Sequence, residues 1–238
     1  MPQLLVIPVF NEEKSLASVI ENTCRHLPPE ISRVLFINDG SSDGSRAILD
    51  RHAAADERIV VHHRERNAGY GATQIEAMTY GREQGFENLI TMDCDEQHRP
   101  EDLGRFARFD PEAAVVSGSR YRPDSPTIGS PPEERVRINK RITARINREC
   151  GWNLSDAFCG FKRYCLKRID PSVFLEAGYA FPMEFWAYAA YRRLSIRELA
   201  VPRIYTTDDR SFGEDLDRQR RRYRYYLTCW KSARKRFA

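Results

Sequence analysis

LLVIPV (4–9), the helix-period stretch 11–27 and VLFIN (34–38) decide the fold. Two apolar runs of strand length flank a segment that puts Leu16, Val19, Ile20 and Cys24 on one helical face, so the chain opens strand, helix, strand. Asn11 stands where an N-cap belongs, with Glu12 and Glu13 in the first turn where the helix dipole favours acids. The alternation continues through a helix over Ser45–Ala55, IVVH (59–62), a helix over about 71–84, LITMD (89–93) and AVVSG (114–118). Strands that are apolar along their whole length and separated by helices predict an α/β protein with a mostly parallel sheet covered on both faces. Ligands bind such sheets outside the carboxyl ends of the strands, so the residues following each strand are the ones to inspect.

Composition narrows the classes. The 238 residues are 41% hydrophobic and 30% charged, a soluble globular balance that excludes disorder. No run reaches the roughly 18 apolar residues of a spanning helix. The first apolar run has no basic segment before it and an acidic pair after it, so a strand is expected there and no signal peptide. Six cysteines without CxxC spacing indicate reduced thiols rather than a zinc site, and the cytosol is the expected compartment. Residues 1–119 hold 12 Lys and Arg against 20 Asp and Glu, whereas residues 120–238 hold 26 against 14. An acidic half suits a metal site and a basic half suits phosphate groups or an anionic surface, although either is also compatible with a solvated face.

YRPDSPTIGSPPEE (121–134) reads as a long exposed loop between the halves. A basic helix (about 135–149), the mixed stretch DAFCGFKRY (156–164), an aromatic-rich helix (about 183–193) and a strand (about 196–205) follow. This order breaks the βα rhythm, so the second half is expected to extend the first rather than fold alone.

The strand ends carry acids. Asp93 and Asp95, two apart after an apolar strand, project to one side of an extended chain and offer oxygens to one hard cation, with Gln97 extending the line. Mg2+ or Mn2+ held this way keeps positions open for substrate phosphates. The alternative is that the pair only caps the helix beginning near Pro100. In DGSSDGSRAILD (39–50) a calcium loop fails because a strand, not a helix, enters it. A strand-turn-helix leaves Asp39 exposed at the sheet edge, its carboxylate free to accept hydrogen bonds from a nucleobase or ribose. NAGYGA (67–72) lacks the third glycine of a dinucleotide fingerprint.

Taken in order, PVFNEE, FINDGSSDGS, NAGYGA, MDCDEQHRPED, VSGSRY and DAFCGFKRY resemble the inverting GT-A glycosyltransferases of the family 2 type, specifically dolichyl-phosphate mannose synthases and bacterial polyprenyl-phosphate relatives. The resemblance covers about residues 4–210 and makes Asp93 and Asp95 metal ligands. It implies that Glu12 and Asp39 line the nucleotide pocket, shaped by Pro8 and Phe10. Arg120 and Thr143 would face the acceptor phosphate, while Asp156, Phe161 and Lys162 would lie beside donor sugar and acceptor. Three departures stand out: Asn38 replaces an Asp, Asn139 replaces an Arg whose place Arg137, Lys140 or Arg141 can take, and RSFGEDL (210–216) lacks the lysine of the family pattern, leaving Arg210, alone or with the RQRRR run after it, to contact the leaving group.

The expected function is metal-dependent, inverting transfer of a sugar from a nucleotide-diphosphate sugar of the GDP-mannose or UDP-glucose type to a polyprenyl phosphate. A lipid monophosphate is already anionic at pH 7, its second pKa lying at about 6, so it needs orientation more than a base; a hydroxyl acceptor would need one, and Asp95 or Asp156 is available. The rival within the fold is transfer to a saccharide or small-molecule hydroxyl. The rival outside it is a non-catalytic nucleotide-sugar or nucleic-acid module using RRRYRYY (220–226), although no nucleic-acid partner is expected. The domain reading is a catalytic unit over 1–213, split into a nucleotide-sugar half (1–119) and an acceptor half (120–213), then a basic amphipathic helix over 214–238. That helix aligns Tyr223, Tyr226, Leu227, Trp230, Ala233 and Phe237. The stripe either packs on the catalytic unit or brings the protein to the cytoplasmic face of an anionic membrane as a peripheral protein.

Overall fold

A computed structural model describes residues 2–205 and 218–238. Strands β1 (Gln3–Val9), β2 (Ile31–Asn38), β3 (Ile59–His63) and β4 (Asn88–Thr91) alternate with helices α1 (Leu16–His26), α2 (Ser45–Ala55) and α3 (Tyr70–Glu83). Next come α4 (Leu103–Arg108), β5 (Val115–Ser119), β6 (Thr127–Gly129), α5 (Glu133–Cys150), β7 (Lys162–Cys165), α6 (Phe181–Tyr191), β8 (Ile196–Ala200), β9 (Arg203–Tyr205) and α7 (Gln219–Arg236). Seven strands form one sheet in the order β3-β2-β1-β4-β7-β5-β8. All neighbours are parallel except β7, which runs antiparallel to both β4 and β5. The expected α/β sheet with helices on both faces is what the chain forms.

Alternation along the strands divides the core between the two faces. Leu4 and Val6 of β1 and Leu35 and Ile37 of β2 pack with α3, α5, α6 and α7. Leu5, Ile7 and Val9, with Val34 and Phe36, face α1, α2 and α4. α6 is buried nearly all round, from Phe181 to Ala189, and is a core helix rather than an amphipathic one.

The structure corrects some expectations and decides between others. α1 begins at Leu16 with Ser15 before it, and Asn11 does not cap it. Asn11 instead adopts φ 56° and its Oδ1 accepts from the Ser42 N–H at 2.8 Å, because long-range partners on the next strand's loop outcompete the local cap. The loop 121–134 contains β6, which pairs with β9, and Pro202, which has no N–H, separates β9 from β8 where one strand was expected. The second half extends the first as expected, and it does so by adding β7 and β8 to the same sheet. The apolar stripe of α7 packs inward: Tyr226, Trp230 and Ala233 are buried, Trp230 Nε1 donates to Glu149 at 2.7 Å, and Arg222 pairs with Glu134 at 2.6 Å. A stripe already buried in protein is not available for insertion into a bilayer.

α7 also braces the loop after β7. Tyr225 donates to Glu176, and Arg236 pairs with Glu184. That loop backs directly on the start of α3, where Gly69 holds φ +100° and a Cβ would overlap the Ala177 carbonyl. Gly69→Ala is therefore expected to destabilise the protein by about 1–3 kcal/mol, read as a lower midpoint in urea unfolding; an unchanged midpoint would show that the loop gives way.

Candidate active site

The carboxyl ends of β1 and β2 are knitted together before any ligand arrives. The Asn11 N–H donates to Ser41 Oγ at 3.0 Å, the Glu12 N–H to Ser45 Oγ at 3.0 Å, and the Gly44 N–H to Glu13 Oε2 at 2.7 Å. Phe10 is 45% exposed beside them, and Pro8 and Glu12 are partly buried at the same edge. Asp39 departs from the expectation of a free carboxylate. It is buried and accepts from Arg64 Nη1 at 2.7 Å and from the N–H groups of Ala68 and Gly69 at 2.8 and 2.9 Å, so it fixes the turn into α3. Asn38 explains its own departure from the family pattern: its Nδ2 faces His63 Nδ1 at 2.9 Å, while His63 Nε2 meets Asp50 at 2.9 Å. With Nε2 donating to the carboxylate, Nδ1 accepts from the amide, a bond an Asp at position 38 could not donate.

The acidic pair follows β4. Glu96 takes φ 57°, the Gln97 N–H donates to Asp95 Oδ1 at 3.1 Å, and the Asp93 N–H donates to His98 Nδ1 at 3.1 Å. This turn gathers one donor atom each from Asp93, Asp95 and His98 within 4.8 Å of one another. The helical turn after Arg99 has no side-chain cap, so capping does not account for the pair. Burial, then Asp95, raises the Asp93 carboxyl above its ordinary value, opposed by His98, Lys162 and Arg120. Burial works against protonation of His98, yet the charge of Asp93 and the Cys159 thiol push it up to about 9. The bond from the Asp93 N–H requires an unprotonated Nδ1, and a divalent cation on the carboxylates would remove the charge that raises the value. Crowded acidic oxygens with one imidazole suit Mg2+ or Mn2+. The sequence assigned His98 no part in this cluster; its only signal was a His three positions after Asp95.

Gly160 makes room for this cluster. A Cβ there would overlap the Asp93 carboxylate, and the Gly160 carbonyl is held by Thr91 Oγ1 at 2.6 Å. Gly160→Ala is expected to raise the Mn2+ concentration for half-maximal activity at least several-fold, with a folded far-UV spectrum. An unchanged metal titration would remove Asp93 from the ligand set.

Asp156 is fully buried and saturated. It accepts from Arg120 Nε at 2.7 Å, Arg120 Nη2 at 3.1 Å, the Arg120 N–H at 3.2 Å, Asn139 Nδ2 at 2.7 Å and the Phe158 N–H at 3.0 Å. Burial opposes ionisation, but Arg120 and these hydrogen bonds hold its pKa well below the carboxylate range. In this arrangement Asp156 is saturated by its own chain and forms the seat of Arg120. Thr143 donates to Asn139 at 3.0 Å and accepts from the Ala157 N–H at 3.1 Å, so it supports the same seat instead of facing an acceptor. Phe161 is buried with its ring 3.9 Å from Phe106 and does not line the site. Lys162 is buried, donates to the Cys159 carbonyl and lies 5.6 Å from the Trp186 ring; burial lowers its pKa, with Asp156 and Asp93 pulling the other way. Lys140 lies exposed on α5. Arg210 lies outside the described residues. Tyr70, at the start of α3, is a residue the sequence did not mark: burial, then the charge of Asp93, pushes its pKa far up.

Acidic cluster, arginine and lysine thus converge at one edge of a doubly wound sheet, the frame of a transferase acting on a phosphorylated donor. A family model described as glycosyl transferase family 2 matches residues 4–169, and the chain belongs to that family. It is 31% identical over 203 residues to polyprenol monophosphomannose synthase of Mycolicibacterium smegmatis, covering 83% of this chain and 76% of that protein. It is 32% identical over 217 residues to undecaprenyl-phosphate mannosyltransferase of Micrococcus luteus, covering 90% and 86%. Among solved structures, glucosyl-3-phosphoglycerate synthase of Mycobacterium tuberculosis with Mn2+, UDP and glucosyl-3-phosphoglycerate superposes with a TM-score of 0.71 at 16% identity, covering 98% of this chain and 79% of that one. The fold is thus of the GT-A type, and the protein is a glycosyltransferase.

Proposed function

We propose that the protein moves a hexose, with inversion, from a nucleoside-diphosphate sugar to a polyprenyl-type lipid phosphate. The two relatives above support this acceptor by their names and coverage. The observation that carries it is the seat of Arg120. Nε and Nη2 are spent on Asp156, which leaves a fixed cation whose Nη1 makes no hydrogen bond among the described residues and takes up one of the two carboxylates, Asp156 and Asp95, that a hydroxyl acceptor could use as base. An acceptor that arrives as an anion needs such a cation and no base.

Asp93 and Asp95, with Gln97, would hold Mg2+ or Mn2+, and His98, whose Nδ1 accepts from the Asp93 N–H, would steady the turn that presents them. When bound, the cation supplies charge stabilisation to the departing diphosphate. Pro8, Phe10, Glu12 and the turn fixed by Asp39 would receive the nucleotide. Lys162 would lie beside the transferred sugar, Lys140 near the acceptor entrance, and Arg210 against the leaving group. No helix among the described residues is long and apolar enough to cross a membrane, and all six cysteines are free thiols, which suits a reducing compartment and a peripheral place on the cytoplasmic face of a membrane.

The test pairs GDP-mannose and UDP-glucose, with Mg2+ or Mn2+, against a short-chain polyprenyl phosphate and against simple saccharides, and analyses the products by mass. Glycosyl polyprenyl phosphate is the expected product. Transfer to a saccharide hydroxyl with none to the lipid phosphate would sink the proposal.

A further inference from the structure

Apart from Lys140, the outward faces of α5 and α7 carry a charge that the proposed chemistry does not use. The helices lie side by side, joined by Glu134 to Arg222 at one end and Glu149 to Trp230 at the other. The Arg141 guanidinium covers the Tyr223 ring at 4.4 Å between them. α7 contains no Asp or Glu at all, and Glu134 and Glu149 of α5 are turned to these inter-helix contacts. Helical spacing leaves Lys140, Arg141 and Arg148 of α5 and Arg224, Lys231 and Lys235 of α7 on one continuous exposed face. None of the six forms an ion pair among the described residues.

We propose that this two-helix face docks the protein on an anionic lipid bilayer by charge alone, without insertion. The choice of surface rests on the lipid-phosphate acceptor proposed above. Position supports it: the inner side of α5 supplies Asn139 and Thr143 to the seat of Arg120, so a bilayer against the outer side lies about one helix diameter, roughly 10 Å, from the cation that would meet the acceptor. The apolar stripe of α7 is buried, which leaves electrostatics as the binding force. The aromatics of 220–226 argue against single-stranded nucleic acid, which stacks its bases on exposed rings. Tyr226 is 4% exposed, Tyr225 is tied to Glu176, and Tyr223 is covered by Arg141.

The test is co-sedimentation of the full chain with vesicles of phosphatidylcholine alone or mixed with phosphatidylglycerol. Binding is expected only to the anionic vesicles, with release as salt screens exposed charges. Each basic residue near such a surface contributes about five-fold, so R148Q/R224Q/K231Q/K235Q is expected to weaken binding roughly several-hundred-fold, and K231Q/K235Q alone about 25-fold. Both variants should keep the parent's thermal midpoint and its turnover on a water-soluble short-chain polyprenyl phosphate. Undiminished binding by the folded variants, equal binding to neutral vesicles, or tighter binding to a single-stranded oligonucleotide at the same salt would overturn the proposal. Transfer to the short-chain acceptor without vesicle binding rejects the docking face and leaves the acceptor reading standing. Vesicle binding that the substitutions abolish, with no transfer to any lipid phosphate, supports the face and rejects that reading.

Discussion

Asp95→Asn is expected to lower sugar transfer by about 100-fold or more, the range for removing a charge-stabilising group from a transition state. The substitution keeps the volume and the oxygen that accepts from the Gln97 N–H, so the turn survives. What it removes is half of the negative charge that the Asp93 and Asp95 pair can offer a cation. Stability should hold or rise, because burial and then the charge of Asp95 already raise the Asp93 carboxyl, and the substitution removes that neighbouring charge. The measurement is turnover with saturating Mn2+ beside a thermal midpoint. Near-normal turnover would falsify the cation assignment, and a collapsed midpoint would mean that Asp95 serves the fold instead.

Asp156→Ala should have the largest effect on stability. It strands the buried Arg120 guanidinium and leaves Asn139 and the Phe158 N–H without their acceptor, a loss of about 3–5 kcal/mol for a broken buried ion pair. R120Q/D156N, which removes both charges, should recover much of that stability but none of the activity. The pair also fixes a pH dependence. Asp156 has a folded pKa depressed below its unfolded value, so its contribution is fully present above the ordinary carboxylate range and is withdrawn as acidification protonates first the unfolded and then the folded carboxyl. Urea midpoints of the parent should therefore fall below about pH 4, and those of R120Q/D156N should fall less. Parallel curves for the two proteins would show that the pair does not govern acid unfolding.

The strands of the first half were legible because each is apolar on both faces, and the position of Asp93 and Asp95 followed from where the run at 89–93 ends. β7 was not. KRYC places two cations in the middle of a covered sheet, and only the fold shows how they are met: Lys162 by the Cys159 carbonyl, Arg163 by the carbonyls of Phe106 and Asp110. The role of Asp156 was hidden for a similar reason, since its main partner lies 36 residues away and spacing cannot distinguish a carboxylate waiting for substrate from one saturated by its own chain. His98 needed the left-handed turn at Glu96, a backbone choice that nothing in the local composition announces. The α7 stripe was visible as a stripe, but what it would cover depended on neighbours made elsewhere in the chain.

The place of β7 in the sheet sets an order of events during synthesis. β5 has only two neighbours, β7 and β8, and both are translated after it. From Ser119 to Lys162 the ribosome adds about 40 residues, which takes roughly 2–8 s at about 5–20 residues per second. During that interval Val115 and Val116 belong to a strand with no partner, while β1 to β3 already have theirs and β4 is paired with β1 but still waits for β7. An unpaired apolar edge of this kind is a template for other chains, so crowded polysomes, not the finished enzyme, are where this protein is most exposed to aggregation.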